Sequence, residues 1–323
     1  MINFTLPNEL IAQQPARPRD AARLLVYEKK TQAITDTVFS KLPEFLHKDT
    51  AIVLNNSKVE NCRWLFHDGR VEIFVLEKLD THTLRALVRP GKKFKLGANV
   101  DVFDWLSIEV VAVDDEGIRT MKLSVAHDDE RLRVYEHVPL PPYIEQNDEL
   151  ANEYQTVYAK PLGSKAAPTA GLHFTDTLLQ EIAEKHTIHE VTLHVGLGTF
   201  ASLTEAHMKA GTLHKEHYEI APHIAKALTQ AKHIMAVGTT SARTLESWAT
   251  THKLTDATDI FIQPGYEFKR VNSLITNFHL PGTSLLLMIE AFIGSKTETK
   301  RIYEHAIRER YRFYSFGDAM LVV

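Results

Sequence analysis

Ile234-Met235-Ala236-Val237-Gly238-Thr239-Thr240-Ser241-Ala242-Arg243-Thr244-Leu245-Glu246 is an apolar run that stops at a glycine, followed by hydroxyl side chains and then by helix-forming residues. A short apolar run bounded by a turn former reads as a strand buried on both faces, and a helix follows it from about Ser241 to Thr250. In α/β sheets ligands bind beyond the carboxyl ends of such strands, where the amides of a helix N-terminus favour anions or carboxylates. Thr239, Thr240 and Ser241 are therefore candidate anion-binding residues, with Arg243 as a charged partner. Thr240 or Ser241 would also serve as an ordinary helix cap, and the two roles are compatible.

The same alternation extends to both sides. Ala51-Ile52-Val53-Leu54, ending in Asn55-Asn56, reads as a buried strand, and Thr175 to His186 as an amphipathic helix with Leu178, Leu179 and Ile182 on one face. Glu190 to Val195 is strand-like, Pro222 suits the first turn of a helix, and Asp259 to Ile262 is a further strand. Alternating strands and helices imply a parallel-type sheet covered on both faces. Between these stretches, from about Val71 to Val125, the segments VEIFVL, TLRALV, DVFDWLSIEVVAV and RTMKLSV alternate apolar with polar residues and are separated by Gly or Asp turns. They predict a small antiparallel barrel or sandwich, with Pro139, Pro141 and Pro142 marking its exit. The expected organisation is an α/β domain built from 1–58 and 140–323, with a β domain of 59–139 inserted.

The chain has 323 residues and a formal net charge of −4, which argues against coating long nucleic acid, since that rests on neutralising many phosphates. Two basic stretches stand out, Arg89-Pro90-Gly91-Lys92-Lys93-Phe94-Lys95 and the run Lys300, Arg301, Arg308, Arg310, Arg312. Each is either a local patch for a structured RNA or a solvated surface. The single cysteine, Cys62, excludes an intramolecular disulfide and a Cys-based metal cluster. Ser284 to Ile293 is too short to span a bilayer and reads as a buried helix. MINFTLPNEL lacks the basic start and apolar run of a signal peptide. A cytoplasmic protein is expected.

Among 17 histidines, His173, His194 and His279 each stand beside apolar residues and a turn former, near the end of a strand-like run. They serve either as hydrogen-bonded core residues or as members of one convergent site. No metal-ligand spacing is present. Gly196 and Gly198 form a G-x-G after a strand, but the third glycine of the dinucleotide fingerprint is missing. They suit close backbone approach to a bound group.

YQTVYA from Tyr154 and AAPTAGLHFT from Ala166 are joined by LHVGLGTF from Leu193, VGTTSARTLES from Val237 and TDIFIQPGYEF from Thr258. TNFHLP from Thr276 and the closing YRFYSFGDAMLV follow. Together with Leu6-Pro7, LIAQQP, Arg19-Asp20, Arg23-Leu24-Leu25 and Leu54-Asn55-Asn56, these resemble the S-adenosylmethionine:tRNA ribosyltransferase-isomerases, nearly end to end and in order. Departures from the family pattern are Ala22, Glu153, Lys165, Gly282-Thr283-Ser284 and a shortened segment after Asn56, in which Arg63 keeps its place.

The resemblance implies a three-layer α/β/α domain with an inserted antiparallel β-barrel. It also implies transfer and isomerisation of the ribosyl part of S-adenosylmethionine onto 7-aminomethyl-7-deazaguanine at the wobble position of a tRNA. Adenine and methionine leave, and epoxyqueuosine remains. S-adenosylmethionine is then a co-substrate, with no prosthetic group and no metal. The partner is a tRNA carrying the modified base, no membrane is involved, and a monomer is expected.

For this chemistry His173 and His279 are assigned as base and acid, in either order. Thr239, Thr240 and Ser241, with Arg243 or Arg63, are assigned to the methionine carboxylate, and Asp259 to the ribose hydroxyls. Tyr266 and Phe268 either stack on a splayed base or pack in the core. Two other classes fit parts of the sequence: a methyltransferase using the same donor, supported only by G-x-G, and a non-catalytic RNA-binding protein.

Overall fold

A computed structural model describes residues 2–144, 147–196 and 205–323. The chain divides into two compact units, Met1–Lys58 with Leu140–Val323, and Val59–Pro139.

The first unit is organised by a nine-stranded sheet. Its strands are β1 (Arg23–Glu28), β2 (Ala33–Val38), β3 (Thr50–Asn55), β4 (Thr187–Leu193), β5 (Thr212–Glu219), β6 (His233–Val237), β7 (Thr255–Ile260), β8 (Ser273–Asn277) and β9 (Ala319–Val322). Across the sheet they run β7-β5-β4-β3-β6-β8-β9-β1-β2. The helices are α1 (Asp176–Ala183), α2 (Glu205–Ala210), α3 (Pro222–Gln230), α4 (Gly238–Thr251), α5 (Ser284–Ile293) and α6 (Lys296–Arg308).

Successive strand residues point to opposite faces, and here both faces are apolar. Leu24 and Val26 of β1, Ile52 and Leu54 of β3, and Met235 and Val237 of β6 belong to one buried cluster, which Phe39, Leu42 and the α1 residues Leu178 and Ile182 complete. Leu25 and Tyr27, Ala51 and Val53, and Ile234 and Ala236 belong to the other, covered by Leu245 and Trp248 of α4, Ile289 and Phe292 of α5, and Ile302 and Tyr303 of α6. Helices therefore cover both sheet faces. The three-layer α/β expectation holds, and the apolar run Ser284–Ile293 is a buried helix. No helix among the described residues is long and apolar enough to cross a membrane.

The sheet is mixed, where a parallel type was expected. β4, β3, β6 and β8 run parallel to their neighbours, and β9 pairs parallel with β1, but β9 is antiparallel to β8, β2 to β1, β5 to β4 and β7 to β5. The reason at β9 lies in the connection. A single helix between strands returns the chain for a parallel strand, whereas α5 and α6 together, both on one face, carry it back again, so the next strand enters reversed.

A buried carboxylate braces the far end of α4. Glu246 is fully buried and accepts hydrogen bonds from the amides of Lys269 (2.8 Å), Arg270 (2.9 Å) and Val271 (3.0 Å) and from the Tyr266 hydroxyl (2.9 Å). Tyr266 and Phe268 stand edge to face 5.2 Å apart, and Phe268 meets Phe292 in the same way at 4.8 Å. Of the two readings of these aromatics, the structure shows the packed one.

The second unit is a seven-stranded antiparallel sheet curled around one core, with Trp64, Phe66, Ile73, Leu84, Ile108 and Met121 on its buried face. The inserted antiparallel β unit is as expected, and its outermost strands, Glu136–His137 and Asn99–Phe103, are not paired with each other, so the sheet is a half-barrel. Register shifts after Val75, Asp101 and Thr120 supply the bends that let it curl. Burial pushes the Cys62 thiol up to about 12, which keeps it in the unreactive protonated form.

Replacing Glu246 by alanine leaves three backbone amides and a tyrosine hydroxyl without their acceptor. We expect a loss of at least about 2 kcal/mol in urea unfolding; an unchanged midpoint would show that water substitutes fully.

Candidate active site

The carboxyl ends of β4, β6 and β8 and the amino end of the reversed strand β9 meet at one edge of the large sheet. They enclose a cavity of about 450 Å³, within the range of small-molecule sites. Gly238, Thr239 and Thr240 line it from the start of α4, Thr276, Asn277 and His279 from the end of β8, and Val195 from the end of β4. Ala167 to Ala170, Pro142, Tyr143, Tyr314 and Ser315 close the remaining wall, and Leu280 to Thr283 and Leu285 form the side towards α5.

β6 passes into α4 without a connecting residue because Gly238 takes φ +86°, in the left-handed region that favours glycine. Neither Thr240 nor Ser241 caps the helix. Its N-cap is Val237, with no side-chain bond, and the Ser241 hydroxyl donates to Val237 O at 2.7 Å. The first-turn amides have no intrahelical acceptors, and the buried Thr240 hydroxyl has no partner. Both lie where the helix meets the cavity.

His279 is half-buried in the cavity wall, 2.8 Å from the Thr276 hydroxyl through Nε2. That hydroxyl donates to Asn277 O at 3.1 Å, so it accepts from His279 Nε2–H. In a neutral ring the lone pair then lies on Nδ1. Burial lowers the His279 pKa to about 4, so the ring is neutral at pH 7.

His173 stands one layer back and does not line the cavity. It is 4% exposed, and its Nε2 accepts from the Asn277 amide at 3.3 Å, while Asn277 Oδ1 accepts from Thr169 Oγ1 at 2.9 Å. Burial, against an opposing pull from Asp318, holds its pKa at about 4. Asn277 thus ties His173 to the cavity wall.

The segment carrying His173 is anchored from the N-terminal part of the chain. Arg19 donates to the carbonyls of Gln155 (2.6 Å) and Glu153 (3.2 Å), and Asp20 accepts from Thr175 Oγ1 at 3.1 Å, the residue that caps α1. The Glu153 side chain, a departure from the family pattern, pairs with Arg17 at 2.6 Å.

The other expected site residues spread further. Ser241 is buried behind the cavity. Arg243, 7% exposed, forms an ion pair with buried Glu216, whose other oxygen accepts from Gly196 N at 2.8 Å. This network connects α4 to the turn after β4 rather than lining the cavity, and Arg243 Nε and Nη2 have no partner. Asp259 lies on the outermost strand β7, away from the lining residues. Arg63 belongs to the second unit, where its Nε bonds Glu72 at 2.8 Å. Gly198 lies outside the described residues. His194, half-buried, donates its amide to His217 O. Thr169, Thr276, Asn277, Tyr143 and Ser315 were not singled out from sequence, although all but Tyr143 fall in quoted motifs. Uncharged polar residues inside such motifs carry no signal of their own beside a histidine.

A mixed α/β unit whose strand ends enclose a small-molecule cavity, with a half-barrel inserted in its chain, defines the class. Comparison with known proteins makes it specific. The model of the family described as queuosine biosynthesis protein matches residues 1–322, and the chain belongs to that family. It is 43% identical over 330 residues to the S-adenosylmethionine:tRNA ribosyltransferase-isomerase of Rubrobacter xylanophilus, covering 100% of this chain and 96% of the other. It is 42% identical over 336 residues to the enzyme of the same name from Symbiobacterium thermophilum, covering 99% and 98%. The fold matches a crystal structure of S-adenosylmethionine tRNA ribosyltransferase from Thermotoga maritima with TM-score 0.57 and 34% identity, over 99% of both chains.

Two outcomes are expected. A Cβ at Gly171 would overlap the Tyr158 hydroxyl and lie 2.9 Å from Thr156 Cγ2. Gly171→Ala should therefore cost roughly 1–3 kcal/mol and lower activity with it; wild-type stability would show that Tyr158 moves freely.

His173 ordinarily titrates at 6.5 and here at about 4. Above pH 6.5 neither state is protonated there. As pH falls from 6.5 towards 4, the unfolded chain takes up the proton first and stability drops, by on the order of 3 kcal/mol. His173→Gln should flatten that part of the stability–pH curve in urea titrations, and an unchanged slope would contradict a buried neutral ring.

Proposed function

We propose that the chain transfers and isomerises the ribosyl part of S-adenosylmethionine onto the aminomethyl group of 7-aminomethyl-7-deazaguanine at a tRNA wobble position, releasing adenine and methionine and leaving epoxyqueuosine. Full-length similarity to enzymes named for this donor and for tRNA supports the substrates. The observation that carries the chemistry is His279, a neutral imidazole in the wall of a cavity that also receives the start of α4.

The sulfonium acidifies the adjacent ribose C5′ protons, and a neutral Nδ1 lone pair suits their removal. The imidazolium so formed holds the proton that the departing adenine needs, so one histidine serves as base and then as acid. His173, neutral and bonded through Asn277, is a positioning residue in this scheme: it fixes the amide that faces the cavity. The amides and hydroxyls of Thr239 and Thr240 suit the methionine carboxylate, with Arg243 acting through Glu216 on the neighbouring turn. The protein works as a cytoplasmic monomer with no prosthetic group.

Purified protein with S-adenosylmethionine and tRNA carrying the modified base should release adenine with a matching mass gain on the RNA, and unmodified tRNA should give neither. Transfer of a methyl group without free adenine would identify a methyltransferase instead. His279→Ala should lower kcat by ~10²–10⁴ with KM for S-adenosylmethionine little changed, and His173→Ala should also act mainly on kcat. Near-wild-type turnover in both variants would refute the assignment.

A further inference from the structure

The two basic stretches of the sequence differ in the folded chain. In the C-terminal run, Lys300 pairs with Glu304, Arg301 with Glu298, Arg308 with Glu309, Arg310 with Glu9 and Arg312 with Asp318. Each cation there already has a carboxylate, which reduces its attraction for another anion.

In the other stretch Arg89 pairs with Glu72 at 2.7 Å, but the turn Pro90–Lys95 that follows it in the half-barrel is built the other way. Lys92, Lys93 and Lys95 are exposed, and none has a carboxylate within ion-pair distance among the described residues. No other four-residue stretch of the chain carries three lysines. The turn is also held firmly from behind. Phe94, between the lysines, is fully buried in the half-barrel core. Lys93 N and Phe94 N bond back to Pro90 O and Gly91 O at 3.2 Å each, and Gly97 N to Val110 O at 2.9 Å. The Arg119 guanidinium packs under Gly91, close to the Phe94 and Gly117 carbonyls. A fixed backbone thus presents three free ammonium groups within at most roughly 14 Å of chain, the reach of a few consecutive phosphates on one nucleic-acid strand.

Resting on the tRNA-modifying function proposed above, we infer that this lysine turn is a docking element for the phosphate backbone of the tRNA. Phosphate contacts position a nucleic acid without reading its sequence, and each makes affinity depend on salt, with a slope of about 0.7–0.9 per contact. The turn therefore contributes affinity and leaves the chemical step alone.

The test measures binding of fluorescently labelled tRNA carrying the modified base between roughly 50 and 200 mM salt, together with adenine release at saturating tRNA. K92A/K93A/K95A should bind at least tenfold more weakly at the higher salt. Its slope of log affinity against log salt should be about two units shallower, with kcat within twofold of wild type. K92R/K93R/K95R should keep wild-type binding, and K226A/K232A, which removes two exposed lysines elsewhere, should leave the slope unchanged. Wild-type affinity and slope in the alanine triple variant would overturn the inference, as would equal loss in the arginine variant. If wild-type protein releases no adenine, the ribosyl-transfer function falls while the binding comparison still decides the lysine turn; if it binds no tRNA at all, both fall.

Discussion

At Gly238 the chain leaves a strand buried on both faces and enters a helix in the next peptide unit. The left-handed backbone there, φ +86°, removes any loop between β6 and α4, so the helix N-terminus is held against the sheet edge instead of standing away on a connection. Val237 below it belongs to one apolar cluster, and Ala242 and Leu245 above it to the other. Packing on both faces therefore fixes where the first amides of α4 point. The cavity walls are set against that fixed point: Asn277 and His279 at the end of the neighbouring strand β8, and the Ala167–Ala170 segment packed close to Gly238.

Around this edge the structure holds more buried polar groups than a purely apolar core would need. Asn55 bonds both the amide and the carbonyl of Leu193 at 3.0 Å, tying β3 to β4 where they end. Asn277 spans Thr169 and His173, and Glu216 spans Arg243 and Gly196. Buried polar atoms of this kind are stabilising only when satisfied. The Thr240 hydroxyl and two nitrogens of Arg243 are buried without partners, on the same helix and within one turn of each other. Of these, the Thr240 side chain belongs to the cavity lining and Arg243 does not.

Much of this organisation was legible before the structure. Periodicity alone showed the step from Val237 to Gly238, the buried run at Ser284–Ile293 and a change to β character, but it put the start of the helix near Ser241 instead of Gly238 and missed the strand Arg63–Phe66 before Val71. Two features were not. The direction of β9 depends on α5 and α6 lying on the same face, which no local pattern encodes. Whether the outermost strands of the half-barrel pair with each other is a second, since pairing of distant edges leaves no mark on alternation. At the site, the histidines attracted notice because their chemistry is conspicuous. Yet His279 reaches the cavity and His173 does not; Asn277, which lines the cavity, bonds His173 from in front. Arg63 and Asp259 matched by motif and by strand position, respectively, whereas their surroundings are a barrel carboxylate and a sheet edge.

The most direct measurement is a crystal structure of the protein with S-adenosylmethionine and no tRNA. The donor should lie in the cavity between the start of α4 and the end of β8, its carboxylate at Thr239 and Thr240. Its ribose C5′ should lie within about 3.5 Å of His279 Nδ1. S-adenosylmethionine bound elsewhere, or held there with C5′ on the side away from His279, would contradict the catalytic assignment at its centre.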